Sequence, residues 1–348
     1  MIKKYFRVAA VCLAIILIFP VLLTVIMNKI NDNNGKSDYI VLSGRTIVIE
    51  NEKYKEEMDM EYFIPCVLMA EMPIDSPQEA LKAQAVVIRT YIINKMGKEK
   101  RISSKELKLP YVEYNRLEEI WFEEYKKNNV RNINGIFSNL TGMGRTIPYK
   151  ENTEYLYGII EKTNLKVLKN QGKIILPLFH ETSNGKTRNG NEVLGKEYSY
   201  LKSVACKTDL EKENFIGVKY FTIDEIGECL KKQGIIVYKD NKELFADKNM
   251  DTKSFLEMVN TENKDKSDYQ KIIKIGDTSI EGEVFATALG LNSTSMVIEE
   301  YEQGIRITTK GVGHGFGMSL SYAEKLAKDG MQWKDILKTF YDASIVDF

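Results

Sequence analysis

Two histidines occur in this chain, and each lies in a short stretch crowded with small and polar residues. One stretch reads Phe179-His180-Glu181-Thr182-Ser183-Asn184-Gly185-Lys186-Thr187. The other reads Gly311-Val312-Gly313-His314-Gly315-Phe316-Gly317-Met318-Ser319. Histidine is the side chain whose ordinary charge change falls nearest neutral pH, so both stretches are candidate active-site loops. The glycines alternating around His314 leave the backbone bare and open to close approach by another group. Two satisfied structural histidines in turns are the alternative.

The carboxylate that stands out is Glu71, within Val67-Leu68-Met69-Ala70-Glu71-Met72-Pro73. A carboxyl among apolar neighbours loses hydration, its pKa rises, and it can keep a proton at neutral pH to act as a general acid. A surface glutamate ahead of a helix is the plainer alternative. His180, His314 and Cys206 could supply three zinc ligands, although no recognisable ligand spacing or HExxH motif is present. Gly185-Lys186-Thr187 looks like the end of a phosphate loop, but the earlier glycine that loop requires is replaced by His180. The glycine run at 311–317 lacks the dinucleotide-binding pattern as well.

Certain elements must position these groups. Ser76-Pro77-Gln78-Glu79 reads as a helix start, with an N-cap serine, proline at the first helical position and a capping-box glutamate. Leu81, Ala85, Ile88 and Ile92 continue at helical spacing, and Gly97 ends the helix. Lys82 and Arg89 share one face of it. Strands are expected at 39–42, 45–50, 155–163, 165–168 and 173–179, the last leading into the first histidine loop. Residues 98–135 read as charged, helical and peripheral, and about 207–275 as a charged insertion or second lobe. Apolar spacing resumes at Gly282 with Val284, Phe285, Ala288 and Leu289. A strand at 304–309 delivers the chain to the glycine loop, and helices follow at 321–329 and 332–340. The fold class is α+β.

Composition narrows the function. The chain has 348 residues with 49 basic and 49 acidic side chains, a balance that argues against a nucleic-acid partner. Val8 to Met27 is apolar except for Pro20 and Thr24, long enough to span a hydrocarbon core of about 30 Å. Lys3, Lys4 and Arg7 precede it, which keeps the N-terminus cytoplasmic and sends the rest across the membrane. A cleaved signal peptide is the rival to this single-pass anchor. The expected organisation is a cytoplasmic tip and anchor at 1–28, a polar tether at 29–38 and an extracytoplasmic ectodomain at 39–348. Cys12 lies in the anchor segment. Cys66, Cys206 and Cys229 leave room for one disulfide, with no pairing specified.

Three blocks in this order resemble the stage II sporulation protein D family, which is related to amidase enhancers. The first runs from Glu71-Met72-Pro73 through Glu79-Ala80-Leu81-Lys82-Ala83-Gln84-Ala85 to Arg89-Thr90-Tyr91. The second is Phe179 to Thr187 followed by Tyr200-Leu201, and the third is Gly311 to Ser319. A weaker block spans 282–293. The resemblance implies a glycan groove and a lytic transglycosylase. Such an enzyme cuts peptidoglycan between N-acetylmuramic acid and N-acetylglucosamine, leaves 1,6-anhydro ends, and acts on peptide-stripped strands during engulfment of the forespore. It implies Glu71 as the catalytic acid, with Lys82, Arg89, His180, Ser183, Lys186, Thr187, Tyr200 and His314 as substrate-binding positions. A wall amidase and other membrane-anchored engulfment proteins are the implied partners. A non-catalytic wall-binding factor that stimulates an amidase, and a zinc-dependent wall hydrolase, are the alternatives.

The chain departs from the family at Asn184, where a second glycine is frequent, and at Leu320, where glutamine is frequent. Some relatives bind zinc through a histidine of the second block and nearby cysteines. Here no cysteine follows His180 before Cys206, and no cofactor is expected. One carboxylate suffices for anhydro-ring formation, because the sugar's own C6 hydroxyl attacks. Lys82 and Arg89 are expected to point away from Glu71 and to bind the lactyl carboxylates exposed when stem peptides are removed.

Overall fold

The computed structural model describes residues 40–50, 55–113, 117, 148–246 and 250–348, with side chains in the third helix described from 154 onward. The expected anchor at 8–27 and tether at 29–38 lie outside the described residues. Among the described residues, no helix is long and apolar enough to cross a membrane.

The architecture is a mixture of helices and small sheets. Strand β1 (Thr46–Glu50) buries Ile47, Val48 and Ile49, pairs antiparallel with β2 (Lys55–Asp59) and lies parallel to β3 (Arg101–Ser103). Helix α1 (Met60–Glu71) follows β2 directly. Asp59 caps it by accepting from the Glu61 N–H, and its buried residues include Phe63, Ile64, Val67 and Leu68. It stops where the Met72 N–H donates to the Leu68 carbonyl and Pro73 begins the turn.

Helix α2 (Gln78–Met96) is the centre of the fold. It is packed by α1, α3 (Pro148–Lys162), α4 (Leu320–Lys328), α5 (Trp333–Phe340) and strand β4 (Lys166–Asn170). A helix surrounded in this way is covered on every side, and most of its buried residues are apolar. Ala80, Ala83 and Ala85 admit close neighbours, while Leu81, Val86, Val87, Ile88 and Ile92 fill the space between them, all fully buried. Gly97 closes the helix with φ 60°, as its type predicts. The expected capping box is not formed. The Ser76 hydroxyl donates to Glu324 at 2.9 Å, and the Glu79 carboxylate is taken by Lys82 at 2.5 Å and by the Trp333 N–H at 3.0 Å. Distant partners outcompete the local cap.

Other expectations are corrected in the same way. Of residues 155–163, expected as strand, 155–162 belong to α3 and Thr163 lies in the turn after it. Leu156, Ile159, Ile160 and Thr163 are buried at helical spacing, a pattern that a short β-prone run conceals. Val41 and Leu42 are exposed and outside any strand. Of 98–135, the described part gives β3 and a helical turn at Ser104–Leu107, closed by a capping box of Ser103 and Glu106.

Strand β4 pairs with β5 (Lys173–Ile174) and with a C-terminal strand, Ser344–Asp347. Beyond β5, strand β6 (Phe179–His180) lies parallel to Met318–Ser319, so the first histidine stands opposite Ser319. Strand β7 (Ile216–Phe221) joins an antiparallel sheet with Met296–Tyr301 and Gly304–Lys310. One face of this sheet contributes to a second core, where Ile226, Leu230, Phe255, Ile273, Phe285 and Ile307 pack. That core draws on residues 221–307 rather than on 207–275 alone.

The Arg89 guanidinium lies fully buried at the middle of α2. Its Nε and Nη2 each reach one Glu61 carboxylate oxygen at 2.7 Å, and Nη1 donates to the Thr163 and Lys166 carbonyls at 2.9 and 3.2 Å. Arg89→Ala leaves the Glu61 charge buried and unpaired, so unfolding stability should fall by about 3–5 kcal/mol. Replacing both residues, as in Glu61→Leu with Arg89→Met, should cost much less. Denaturant titration of the single and double variants checks this. A single variant as stable as the parent would contradict it.

Candidate active site

Glu71 is the last residue of α1, at the helix end whose exposed carbonyls disfavour a negative charge. It is half-buried and lines a cleft of about 470 Å³ with Met72, Pro73, Glu181, Lys212, Asn214 and Ser321. Burial pushes its pKa up to about 7, and the Glu181 carboxylate acts in the same direction. A group in this state can hold a proton near neutral pH and release it to a substrate oxygen.

The two histidines are brought together, with ring centroids 5.9 Å apart. His180 is buried, and its Nδ1 lies 3.0 Å from the Phe316 carbonyl, a partner that requires a proton on Nδ1. His314 Nδ1 instead accepts from the Phe316 N–H at 3.0 Å. The backbone carbonyl and N–H of one residue thereby place a proton on Nδ1 of His180 and leave Nδ1 of His314 without one. Burial pulls His180 down to about 3, with His314 adding to the effect. The surrounding protein pulls His314 down to about 4, and Arg188 acts the same way. Neither is poised to titrate near neutrality, which corrects the expectation drawn from their residue type.

The glycine loop is bare because the protein itself approaches it. At Gly317, φ 70°, an added Cβ would lie 1.7 Å from the Leu178 carbonyl. At Gly313, φ 104°, it would lie 2.7 Å from the His180 Cβ. The loop is thus laid against the first histidine segment, and bridges at Thr182–Val312 and Arg188–Phe316 hold the two together.

Most of the remaining candidates hold the fold. Arg89 is the buried partner of Glu61, so the cationic face expected of Lys82 and Arg89 does not exist. Lys82 is buried as well and bonds to Glu79. The Tyr200 hydroxyl donates to the Leu176 carbonyl at 3.1 Å and accepts from the Leu176 N–H at 3.2 Å. Burial pushes it up to about 12. Thr187 is buried, donating to the Lys202 carbonyl and accepting from the Val204 N–H. Ser183 is buried and donates to Asp209 through both its N–H and its hydroxyl, at 2.9 and 2.7 Å. Lys186 alone among these is exposed.

Several residues that the sequence reading passed over have central places. Asp209 Oδ2 also accepts from the Ser319 hydroxyl at 2.7 Å, so one carboxylate ties both histidine blocks together. Arg188 is buried, paired with Asp265 at 2.5 Å and Glu283 at 2.6 Å, and lies over the Phe316 ring at 4.2 Å. Glu181 stands inside a recognised block, beside His180, and was legible as a candidate. Asp209, Arg188 and Lys212 carry no local signal.

His180, His314 and Cys206 do not assemble as a ligand set. Among the described residues, no three His, Cys, Asp or Glu side chains come together to hold a metal ion. Cys66, Cys206 and Cys229 are all free thiols, so the disulfide left open by the sequence is not formed among them.

The raised pKa has a stability consequence. An acid whose folded pKa exceeds its ordinary 4.5 destabilises the fold progressively as pH rises through that interval to about 7. Allowing for its partial exposure, the penalty at pH 8 is about 1–2 kcal/mol. Glu71→Gln, which removes it, should therefore raise stability at pH 8 and change it little at pH 4. Thermal melts at the two pH values check this, and an equal effect at both would contradict it.

Comparison with known proteins places the chain. The family model described as stage II sporulation protein, SpoIID, matches residues 50–135, the segment that contains Glu71, Lys82 and Arg89. Stage II sporulation protein D of Bacillus amyloliquefaciens is 26% identical over 287 residues, covering 82% of this chain and 73% of the relative. Stage II sporulation protein D of Bacillus subtilis strain 168 is 27% identical over 289 residues, covering 83% and 74%. An uncharacterized protein of Brachyspira hyodysenteriae is 25% identical over 311 residues, covering 87% and 69%. The chain is thus similar to stage II sporulation protein D over most of its length, and to the family's model over residues 50–135.

Proposed function

We propose that the chain is a peptidoglycan lytic transglycosylase that works in sporulation on peptide-stripped glycan strands. The observation that carries this reading is a single one. Glu71 lies in an open cleft and is held to a pKa of about 7, where a carboxylic acid can give up a proton and take it back.

The chemistry needs one such group. Glu71 protonates the glycosidic oxygen, and the bond from the muramic acid C1 to that oxygen breaks. Positive charge builds on the sugar ring, as in other glycosidic cleavages. The C6 hydroxyl oxygen then bonds to C1, and its proton returns to Glu71. No water is consumed, the acid is regenerated, and the product ends in a 1,6-anhydro ring.

The other proposed features follow from the same reading. The N-terminal apolar segment serves as a single-pass anchor with a cytoplasmic N-terminus, and the remainder works outside the cytoplasm against the wall. A wall amidase that strips the strands, and other membrane-anchored engulfment proteins, are the proposed partners. The preference for stripped strands cannot reside in Lys82 and Arg89, which are buried and paired. The cation lining the cleft is Lys212.

Glu71→Gln tests the proposal. The amide is nearly isosteric and has no acidic proton, so cleavage should fall by a factor of about 1,000 or more while strand binding persists. The readout is release of soluble fragments from stripped strands by the full chain. Near-normal release by the variant would end the assignment of Glu71, and no release by the parent protein would favour a wall-binding factor that stimulates an amidase.

A further inference from the structure

The cleft holds a second carboxylate that the chemistry above does not use. Glu181 is exposed, directly follows β6, and lines the cleft with Glu71. Its backbone is pinned on both sides. The Ser321 N–H donates to the Glu181 carbonyl at 3.0 Å, and Thr182 exchanges hydrogen bonds of 3.1 and 2.7 Å with Val312. Its side chain is held too, because the Asn214 amide donates to the Glu181 carboxylate. An exposed glutamate is ordinarily free to swing, whereas this one is fixed over the cleft.

The charged groups lining the cleft with Glu71 are Glu181, Lys212, Glu213 and Glu324. They come from the loop after β6, the segment at 212–214 and helix α4. Lys212 is the group that would favour an ionised Glu71. Its ammonium instead lies 3.4 Å from Glu324, which the Ser76 hydroxyl also holds at 2.9 Å. The cleft's ammonium is therefore directed to a carboxylate other than Glu71.

We propose that Glu181 is a positioning residue for the proton on Glu71, a fixed negative charge over the same cleft that makes a second negative charge there costly. The inference rests on the reading of Glu71 as the acid. Burial is the larger cause of the raised Glu71 pKa, and the Glu181 charge adds to it in the same direction. The division of labour is one carboxyl kept protonated as the acid beside one exposed carboxylate, the arrangement by which two similar groups take different roles. Proton transfer to the substrate creates that second charge on Glu71, and the cationic sugar beside it offsets the repulsion until the C6 proton returns.

The test is direct titration of Glu71 in the full chain by carbon-13 NMR, with its carboxyl resonance assigned by its loss in Glu71→Gln. The parent midpoint is expected near 7. Glu181→Gln and Glu181→Ser both remove the charge from an exposed side chain, and each should lower the midpoint by about half a pH unit. The high-pH limb of cleavage should move down with it. Glu181→Asp should restore most of the shift. Glu324→Gln, which frees Lys212, should also lower the midpoint. A midpoint unmoved or raised in both charge-removing variants overturns the proposal, as does a uniform loss of rate with no movement of the limb. The two readings fail separately. Cleavage retained by Glu71→Gln would end the transglycosylase assignment and leave the titration result standing, whereas an unmoved midpoint would end the role of Glu181 and leave the loss of cleavage standing.

Discussion

One buried ion pair sets the geometry on which the site depends. Arg89 at the middle of α2 grips Glu61 in the first turn of α1 through two parallel hydrogen bonds of 2.7 Å. Its remaining donors reach the carbonyls where α3 ends and β4 begins. A forked guanidinium meeting a carboxylate in this way fixes orientation as well as distance. Glu71 lies ten residues beyond Glu61 on the same helix, about 15 Å along its axis. A slip of α1 along α2 would break the fork and carry Glu71 out of its cleft. The pair is costly to bury, and its value is the register it imposes.

The other wall of the cleft is built by a different device. Bare glycine backbone is laid on the segment 178–184, the Phe316 backbone bonds one histidine through its carbonyl and the other through its N–H, and Asp209 ties Ser183 to Ser319. These contacts place Glu181 and Ser321 at the rim facing Glu71. The histidines serve this arrangement as neutral hydrogen-bonding rings. Residues that look like reactive groups in the sequence therefore act as fasteners, and the chemistry is left to a carboxyl at a helix end.

Much of this was legible in the sequence. The apolar neighbours of Glu71 pointed to a desolvated carboxyl, and the central helix, its glycine stop and the two C-terminal helices could be read from spacing. The failures have physical causes. Arg89 and Lys82 looked like a cationic face because sequence spacing shows which residues share a side of a helix but not that every side is covered. Ser76 and Glu79 looked like a capping box because the pattern is local, whereas their partners Glu324 and Trp333 lie some 250 residues away. Residues 155–163 looked like strand because a short run of Tyr, Leu and Ile satisfies both periods. Asp209 and Arg188 gave no signal at all, since a buried charge is recognised only by the groups that converge on it.

The central claim is that one protonated carboxyl lets the substrate's own hydroxyl do the work of water. The identity of the product tests it most directly. Mass spectrometry of fragments released from peptide-stripped glycan by the parent protein should find muramic acid ends lighter by one water than ordinary reducing ends, and no oxygen-18 taken up from labelled solvent. Reducing ends carrying solvent oxygen would mean hydrolysis and would contradict the account.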